Sequence, residues 1–194
     1  AHDTFHLTKL TAEDFKDGRP HAIIGLVPGE IISEDAGYID HIDVEYDILK
    51  VAVIERHKNT HHIGLGYIKG YGLKSGAVAT SISHDSHNII VVGTNEEEMA
   101  AAANRIVENH GGITVMENGN VLGEVTLAIA GIMSDDPLVM VNSALESAKD
   151  EAFRLGVSRD IDPFMTLSFM ALPVIPTLRI TTRGVFDVNT QRYI

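Results

Sequence analysis

The chain has 194 residues, with 15 lysines and arginines against 27 aspartates and glutamates, so its formal net charge at pH 7 is −12. A hydrophobic fraction of 44% is enough for a packed core and excludes disorder as a description of the whole chain. The acidic balance argues against nucleic acid or an anionic membrane as a partner, and the absence of cysteine excludes disulfides, thiolate metal sites and a thiol nucleophile.

Residues 1–20 are polar, carry one short apolar alternation and end in the turn signal Asp17-Gly18-Arg19-Pro20. A start in mid-pattern is typical of a piece of a longer protein, and a frayed terminus explains these residues equally well. We therefore expect a linker or extension over residues 1–20 and one domain over residues 21–194. No apolar run approaches the roughly 18 residues of a membrane helix and no signal peptide opens the chain, so we expect a cytoplasmic protein.

Four apolar runs rich in β-branched residues follow and predict strands. They cover residues 22–27, 48–54, 76–82 and 88–92. Their hydrophobicity is continuous rather than alternating, which indicates that both faces of the sheet are covered.

Two amphipathic helices are predicted. The first begins at the capping-box spacing of Thr94 and Glu97 and ends at Gly111-Gly112. The second has Pro137 at its first helical position and ends at Gly156. Its apolar stripe is expected to face the core and consists of Leu138, Val141, Leu145, Ala148, Ala152 and Leu155.

Two hairpins complete the pattern. Asn118-Gly119 lies between the apolar segments 113–116 and 121–129, and Asn-Gly favours the positive φ angles of a tight hairpin turn. Residues 178–188 repeat this arrangement around Arg183-Gly184. The sequence therefore predicts a mixed α/β (α+β) layered domain: a mostly buried β-sheet with two main amphipathic helices and β-hairpins.

Residues 81–88, Ser-Ile-Ser-His-Asp-Ser-His-Asn, form a polar segment between two strands that are predicted to be buried. Polar groups buried without partners cost about 1–3 kcal/mol each, so these must be paired or functional. Imidazole beside carboxylate suits acid–base chemistry near neutral pH or a hard metal ion. A turn rich in serine, aspartate and asparagine also satisfies its own backbone, and both interpretations stay open on the residues alone.

Other polar or glycine-rich features are weaker candidates. Glu55-Arg56 follows a buried strand, so an internal ion pair explains it as well as a catalytic role. The histidines within residues 57–62 are expected to be solvated. The glycine-rich residues 64–72 lack the spacing of a phosphate-binding or dinucleotide-binding loop, and tight packing explains them better.

Five segments, taken in order, resemble the C-terminal domain of bacterial adenine deaminase, a member of the amidohydrolase superfamily. These segments are residues 47–56, 70–77, 83–88, 130–135 and 163–169. The resemblance implies a parent enzyme that hydrolyses adenine to hypoxanthine and ammonia in purine salvage. In that family a (β/α)₈ barrel holds divalent manganese or iron, which activates the attacking water.

The barrel itself is the part of the family pattern that this chain lacks. A barrel takes about 250 residues, and nothing here matches its His-x-His metal ligands. The resemblance therefore implies that the barrel lies on polypeptide upstream of these residues, that this chain binds no metal or other cofactor, and that the chain is inactive alone. It also implies three partners: the barrel, adenine and, in a homo-oligomer, further copies of the chain.

The resemblance further implies a catalytic role for four residues of the polar segment, His84, Asp85, His87 and Asn88. They would face the active site of the parent enzyme, cap the barrel mouth, and orient adenine or relay protons.

Two alternatives remain. The domain would be a structural or oligomerisation module without its own site, with the apolar stripes and Leu172–Pro176 as its interface. Alternatively, it would be a self-sufficient metallohydrolase using His84, Asp85 and His87. The last is disfavoured, because three ligands on one short loop rarely converge on a metal without support from elsewhere.

Overall fold

The computed structural model of the chain describes residues 3–194. Its strands are β1 His21–Leu26, β2 Ser33–Ile39, β3 Ile48–Ile54, β4 Ile63–Lys69, β5 Ala77–Thr80, β6 Ile89–Gly93, β7 Gly112–Glu117, β8 Asn120–Thr126, β9 Leu178–Thr181, β10 Gly184–Asp187 and β11 Arg192–Tyr193. Its helices are a short 3₁₀ helix at Ala12–Phe15, α1 Glu96–Glu108, α2 Leu138–Arg154 and α3 Pro163–Met170.

Eight strands form one mixed sheet in the order β2-β1-β4-β3-β6-β5-β7-β8. Only the β1–β4 pair is parallel among the neighbours in this sheet, and the others run antiparallel. A second, antiparallel sheet has the order β11-β10-β9. The predicted mixed α/β class, with a buried sheet and hairpins, is confirmed.

The central strands are buried on both faces, as their continuous hydrophobicity indicates. Every residue of β5 and β6 is buried. Met99, Ala103 and Ile106 of α1 pack on one face of the sheet. Helices α2 and α3 and strands β9 and β10 pack on the other face. The sheet is therefore the middle layer of the domain, and its chain connections emerge at the rim.

Helix α1 begins one residue later than its capping-box pattern suggests. Its N-cap is Asn95, whose side-chain oxygen accepts a hydrogen bond from the Glu98 backbone N–H at 2.8 Å. The Thr94 hydroxyl instead donates to the Gly76 carbonyl at 3.1 Å. Both residues suit an N-cap, and the contact with Gly76 decides between them.

The apolar stripe predicted along α2 is buried only in its later turns. Ala148, Ala152 and Leu155 are buried, whereas Leu138 is 82% exposed. The reason lies in where the helix packs: it lies over the edge strand β8, and Ala148 approaches Gly123 of that strand closely. The first turn of α2 therefore remains at the surface. None of the helices in residues 3–194 combines the length and hydropathy that a bilayer-spanning segment requires.

Residues 3–16, which we call the leading segment, pack alongside α1. Leu10 and Phe15 are buried in the same apolar cluster as the helix. The Asn104 side chain accepts from the Leu10 N–H at 2.9 Å and donates to the Leu10 carbonyl at 2.8 Å. This segment holds most of the stretch in which the sequence predicts a linker, and residues 1 and 2 lie outside the described residues. The packing gives the leading segment a defined path along the domain.

Candidate functional site

The polar segment 81–88, which we call the polar turn, joins two neighbouring antiparallel strands within the main sheet. It connects β5 to β6, and its eight residues exceed the two to five of an ordinary hairpin loop. The turn lies at the end of the sheet where β5 stops and β6 begins. Its conformation is determined by contacts with segments that are distant in sequence.

The first half of the polar turn is fixed to β7, to the loop after β8 and to α3. The buried Ser81 hydroxyl accepts from the Gly112 N–H at 2.8 Å and donates to the Gly131 carbonyl at 2.5 Å. The His84 N–H donates to the Ser168 carbonyl of α3 at 3.2 Å. Within the turn, the His87 N–H donates to the Ser83 carbonyl at 2.6 Å.

The second half is fixed by Arg56, which follows β3. The Arg56 Nε donates to the His87 carbonyl at 2.5 Å, and the Asn88 Oδ1 accepts from the Arg56 backbone N–H at 3.3 Å. The ion pair considered for Glu55-Arg56 is not what forms here. The Glu55 carboxylate accepts from backbone N–H groups of the following loop, including that of His57 at 2.6 Å, while the Arg56 side chain enters the core.

The structure brings three of the four candidate side chains together. The His84 side chain is 35% exposed and that of Asp85 is 89% exposed, and their Nδ1 and Oδ1 atoms are 3.9 Å apart. The ring centroids of His84 and His87 are 6.2 Å apart, and that of Phe169 in α3 is 5.2 Å from His84. The fourth residue, Asn88, is buried, and its side-chain oxygen accepts the hydrogen bond from the Arg56 backbone N–H instead.

His87 has an unusual environment for a surface imidazole. Burial, with the nearby His84 and Arg56 adding to it, lowers the pKa of His87 from its ordinary value of 6.5, and Asp85 opposes the shift. The imidazole is therefore neutral at pH 7 and is able to accept a proton. Its Nδ1 is buried and has no hydrogen-bond partner among residues 3–194.

A groove of about 290 Å³ lies beside the polar turn. Asp85, Ser86 and Asn88 line one side, and the residues between α3 and β10 line the other. The volume is close to the lower end of the range for small-molecule sites. Leu172 and Val174, from the segment considered as an interface, are part of this far wall, and Val174 is exposed.

The polar turn was predicted from the sequence, but three residues that contact it or support it were not. Arg56 holds the turn, Phe169 lies against His84, and Thr4 contacts the Arg56 guanidinium. The available signal was an arginine two residues after a buried strand. The other two residues carry no local signal, because their role depends on long-range packing.

The described residues do not offer a metal site. In residues 3–194 no three histidine, aspartate or glutamate side chains lie close enough together to hold a metal ion. His84, Asp85 and His87 are thus neighbours that do not form such a group.

Comparison with known proteins gives a consistent result. The family described as adenine deaminase C-terminal domain matches residues 30–192. The chain is 52% identical to the adenine deaminase of Bacillus subtilis (strain 168) over 152 residues, which cover 78% of this chain and 26% of the relative. It is 43% identical to the adenine deaminase of Bacillus velezensis over 203 residues, with coverages of 99% and 35%.

A third relative, the adenine deaminase of Brucella melitensis, is 44% identical over 197 residues, which cover 96% of this chain and 34% of the relative. The chain thus spans about a quarter to a third of the length of the curated relatives it matches. The resemblance carried by the five segments is confirmed: the chain belongs to the adenine deaminase C-terminal domain family.

Proposed function

We propose that this chain serves as the C-terminal domain of an enzyme that hydrolyses adenine to hypoxanthine and ammonia, and that the polar turn faces the active site of an upstream barrel. The names and coverage of the relatives support the activity. The observation that carries the role of the turn is the partly buried His87, neutral at pH 7, beside His84 and Asp85 on a turn fixed at both ends.

The chemistry needs a group that moves protons. Hydrolysis of adenine adds water at the amino-bearing carbon and expels ammonia, so a proton leaves the water and one reaches the departing nitrogen. A neutral imidazole suits this relay because it accepts a proton and returns it near neutral pH. Phe169, with its ring centroid 5.2 Å from that of His84, supplies an apolar neighbour on one side of this imidazole.

In this proposal manganese or iron ions would be held by the barrel and would supply the activation of water there. The proton transfers proposed for the polar turn use only the side chains of this chain. The isolated chain is then inactive, and the complete enzyme works in the cytoplasm as a homo-oligomer.

The test uses an intact adenine deaminase that contains this domain. His87→Asn keeps a residue that tolerates the positive φ of 49° at this position but removes the titrating ring. We expect this variant and His84→Ala to lower kcat by about tenfold or more in an assay that follows adenine by absorbance, with unchanged unfolding curves at pH 7.5.

The control is His61→Asn. His61 is exposed, lies outside the polar turn and has a φ of 58°, so the substitution and the backbone region are the same. We expect it to retain full activity. Full activity of both His84→Ala and His87→Asn would overturn the proposed role of the turn.

A second role is favoured by the exposed start of α2. Leu138, Val139 and Met140 are consecutive and are all more than half exposed, and an exposed apolar patch often marks an interaction surface. Full activity of both histidine variants, together with self-association of the chain in sedimentation, would favour an oligomerisation module over a contributor to the active site.

A further inference from the structure

Arg56 is a buried cation whose hydrogen bonds all go to uncharged groups. Its residue is 1% exposed. Its Nε donates to the His87 carbonyl at 2.5 Å, and its Nη2 donates to the Ala130 carbonyl at 2.9 Å. Its Nη1 donates to both the carbonyl and the hydroxyl of Thr4 at 2.9 Å, and the Phe5 ring centroid lies 4.2 Å from Cζ.

Such an arrangement is costly as a way of filling space. A buried charge without an opposite charge is costly even when its polar atoms are bonded, and an apolar residue of similar volume would avoid that cost. Burial lowers the pKa of Arg56 from its ordinary value, with Glu55 opposing the shift, but a guanidinium stays protonated in proteins. What the planar group supplies is a fork that holds three chain segments in fixed directions.

These three segments are far apart in sequence. Thr4 and Phe5 belong to the leading segment, His87 to the polar turn and Ala130 to the loop after β8. The leading segment is also tied to Arg56 through its backbone, because the His6 N–H donates to the Arg56 carbonyl at 2.7 Å. Direct hydrogen bonds thus join the leading segment to Arg56 and Arg56 to the carbonyl of His87.

A second buried arginine provides a comparison within the same molecule. Arg179 is 0% exposed, and its guanidinium also donates only to uncharged groups. Its partners are the Ser33 hydroxyl at 2.7 Å and the carbonyls of Leu178 and Ile31. These bonds connect β9 with the start of β2, and none goes to the polar turn.

We propose that Arg56 is a positioning residue that couples the leading segment to the polar turn, so that Thr4 and Phe5 determine how the turn presents His87. The effect on turnover rests on the proposed function, in which the polar turn faces the active site of the upstream barrel. The coupling itself is a property of this chain and is measured without any activity.

The direct test is NMR on the 194-residue chain, following amide exchange of the polar turn and the titration of the His87 ring. The groups that act on this titration are His84 and Asp85 on the turn and Arg56 and His57 in the loop after β3. Arg56→Lys keeps the charge but removes the fork. We expect the His87 amide to exchange about tenfold faster, with little change in the pKa of His87.

Two further variants test the two parts of the inference separately. One removes the positive charge of Arg56, and the other changes only the leading segment. Arg56→Met removes a positive neighbour, so the pKa of His87 should rise. The double variant Thr4→Val/Phe5→Leu leaves Arg56 in place and removes only the hydroxyl and the ring of the leading segment. It should speed exchange of the His87 amide, although no residue of the turn is changed.

The matched control is Arg179→Lys, the same substitution at an equally buried arginine. It should leave exchange in the polar turn unchanged. The inference is overturned if Arg56→Lys protects the His87 amide as the wild type does, if Arg179→Lys perturbs the turn equally, or if the Thr4/Phe5 variant has no effect on the turn.

The intact enzyme then distinguishes this inference from the proposed function. If the polar turn acts in turnover, Arg56→Lys should lower kcat with little change in KM, and Arg179→Lys should not. Faster exchange in the chain with full activity in the enzyme would support the coupling and contradict the proposed function. Unchanged exchange would overturn the coupling whatever the activity.

Discussion

Two connections between antiparallel neighbours of the same sheet differ in almost every respect. Asn118-Gly119 joins β7 to β8 at the surface, with φ angles of 51° and 75°. A Cβ placed on Gly119 would meet nothing within 4 Å. The polar turn joins β5 to β6, and it buries Ser81, Ser83 and Asn88.

The difference teaches where the conformation of a turn is encoded. Two residues that accept positive φ are sufficient for the short hairpin, so its shape is local. The polar turn takes its shape from Gly112, Gly131, Ser168 and Arg56, which lie on four other segments. A long turn held in this way is suited to presenting side chains in fixed directions.

The largest expected effect is the removal of the Ser81 hydroxyl. Ser81→Ala leaves the Gly112 N–H and the Gly131 carbonyl without this partner in a buried site. We expect the free energy of unfolding to fall by about 2–4 kcal/mol, because each such group costs about 1–3 kcal/mol. Chemical denaturation measures it. Ser86→Ala, at an exposed position in the same turn, should change stability by less than about 0.5 kcal/mol. Equal losses in the two variants would contradict the comparison.

An intermediate effect is expected at the short hairpin. Gly119→Ala forces a side chain into the left-handed region, so we expect a loss of about 1 kcal/mol in the free energy of unfolding. Gly119→Asn is the matched variant, because asparagine tolerates the left-handed region. Its free energy of unfolding should fall by less than that of Gly119→Ala. Since no neighbour lies near the new Cβ, a loss as large as that of Ser81→Ala would show that the hairpin is not governed by local backbone preference.

The smallest effect concerns pH. Because the pKa of His87 is lowered in the folded chain, the unfolded chain binds more protons between the folded pKa and the ordinary value of 6.5. The His87 contribution to stability is therefore present above about pH 6.5 and is lost as the pH falls through that window. In denaturation series from pH 7.5 to 5, His87→Asn should lose less stability than the wild type. Gly119→Asn adds no titrating group and should run parallel to the wild type, and a parallel curve for His87→Asn would contradict the pKa shift.

Much of the fold followed from local patterns, but strands β2, β4 and β11 and helix α3 were not predicted, and β4 shows the reason most clearly. The sequence predicts β1, β3, β5 and β6 from continuous apolar runs, but it assigns the glycine-rich residues 64–72 to tight packing and gives no strand there. Strand β4 occupies that region. A Cβ on Gly64 would collide with the backbone of Thr181 and Gly184, so glycine is required because the second sheet packs directly on β4. That requirement is invisible without the partner sheet.

The candidate site divides in the same way. The density of polar residues in the polar turn is a local signal, and it correctly indicated groups that need partners. The inward direction of Asn88 and the role of Arg56 are decided by contacts across more than thirty positions of sequence. Spacing within a loop does not encode such contacts, which is why the residue types were predictable and their directions were not.

The path of the leading segment has a practical consequence for recombinant work. The polar composition of residues 1–20 suggests a truncation at the turn of residues 17–20. Such a truncation would remove Leu10 and Phe15, which pack against α1, and would expose the apolar surface that they cover. It would also remove Thr4 and Phe5, which leaves the Arg56 guanidinium with unsatisfied donors. Expression trials and antibody or fusion designs should therefore keep the chain from Asp3 onward.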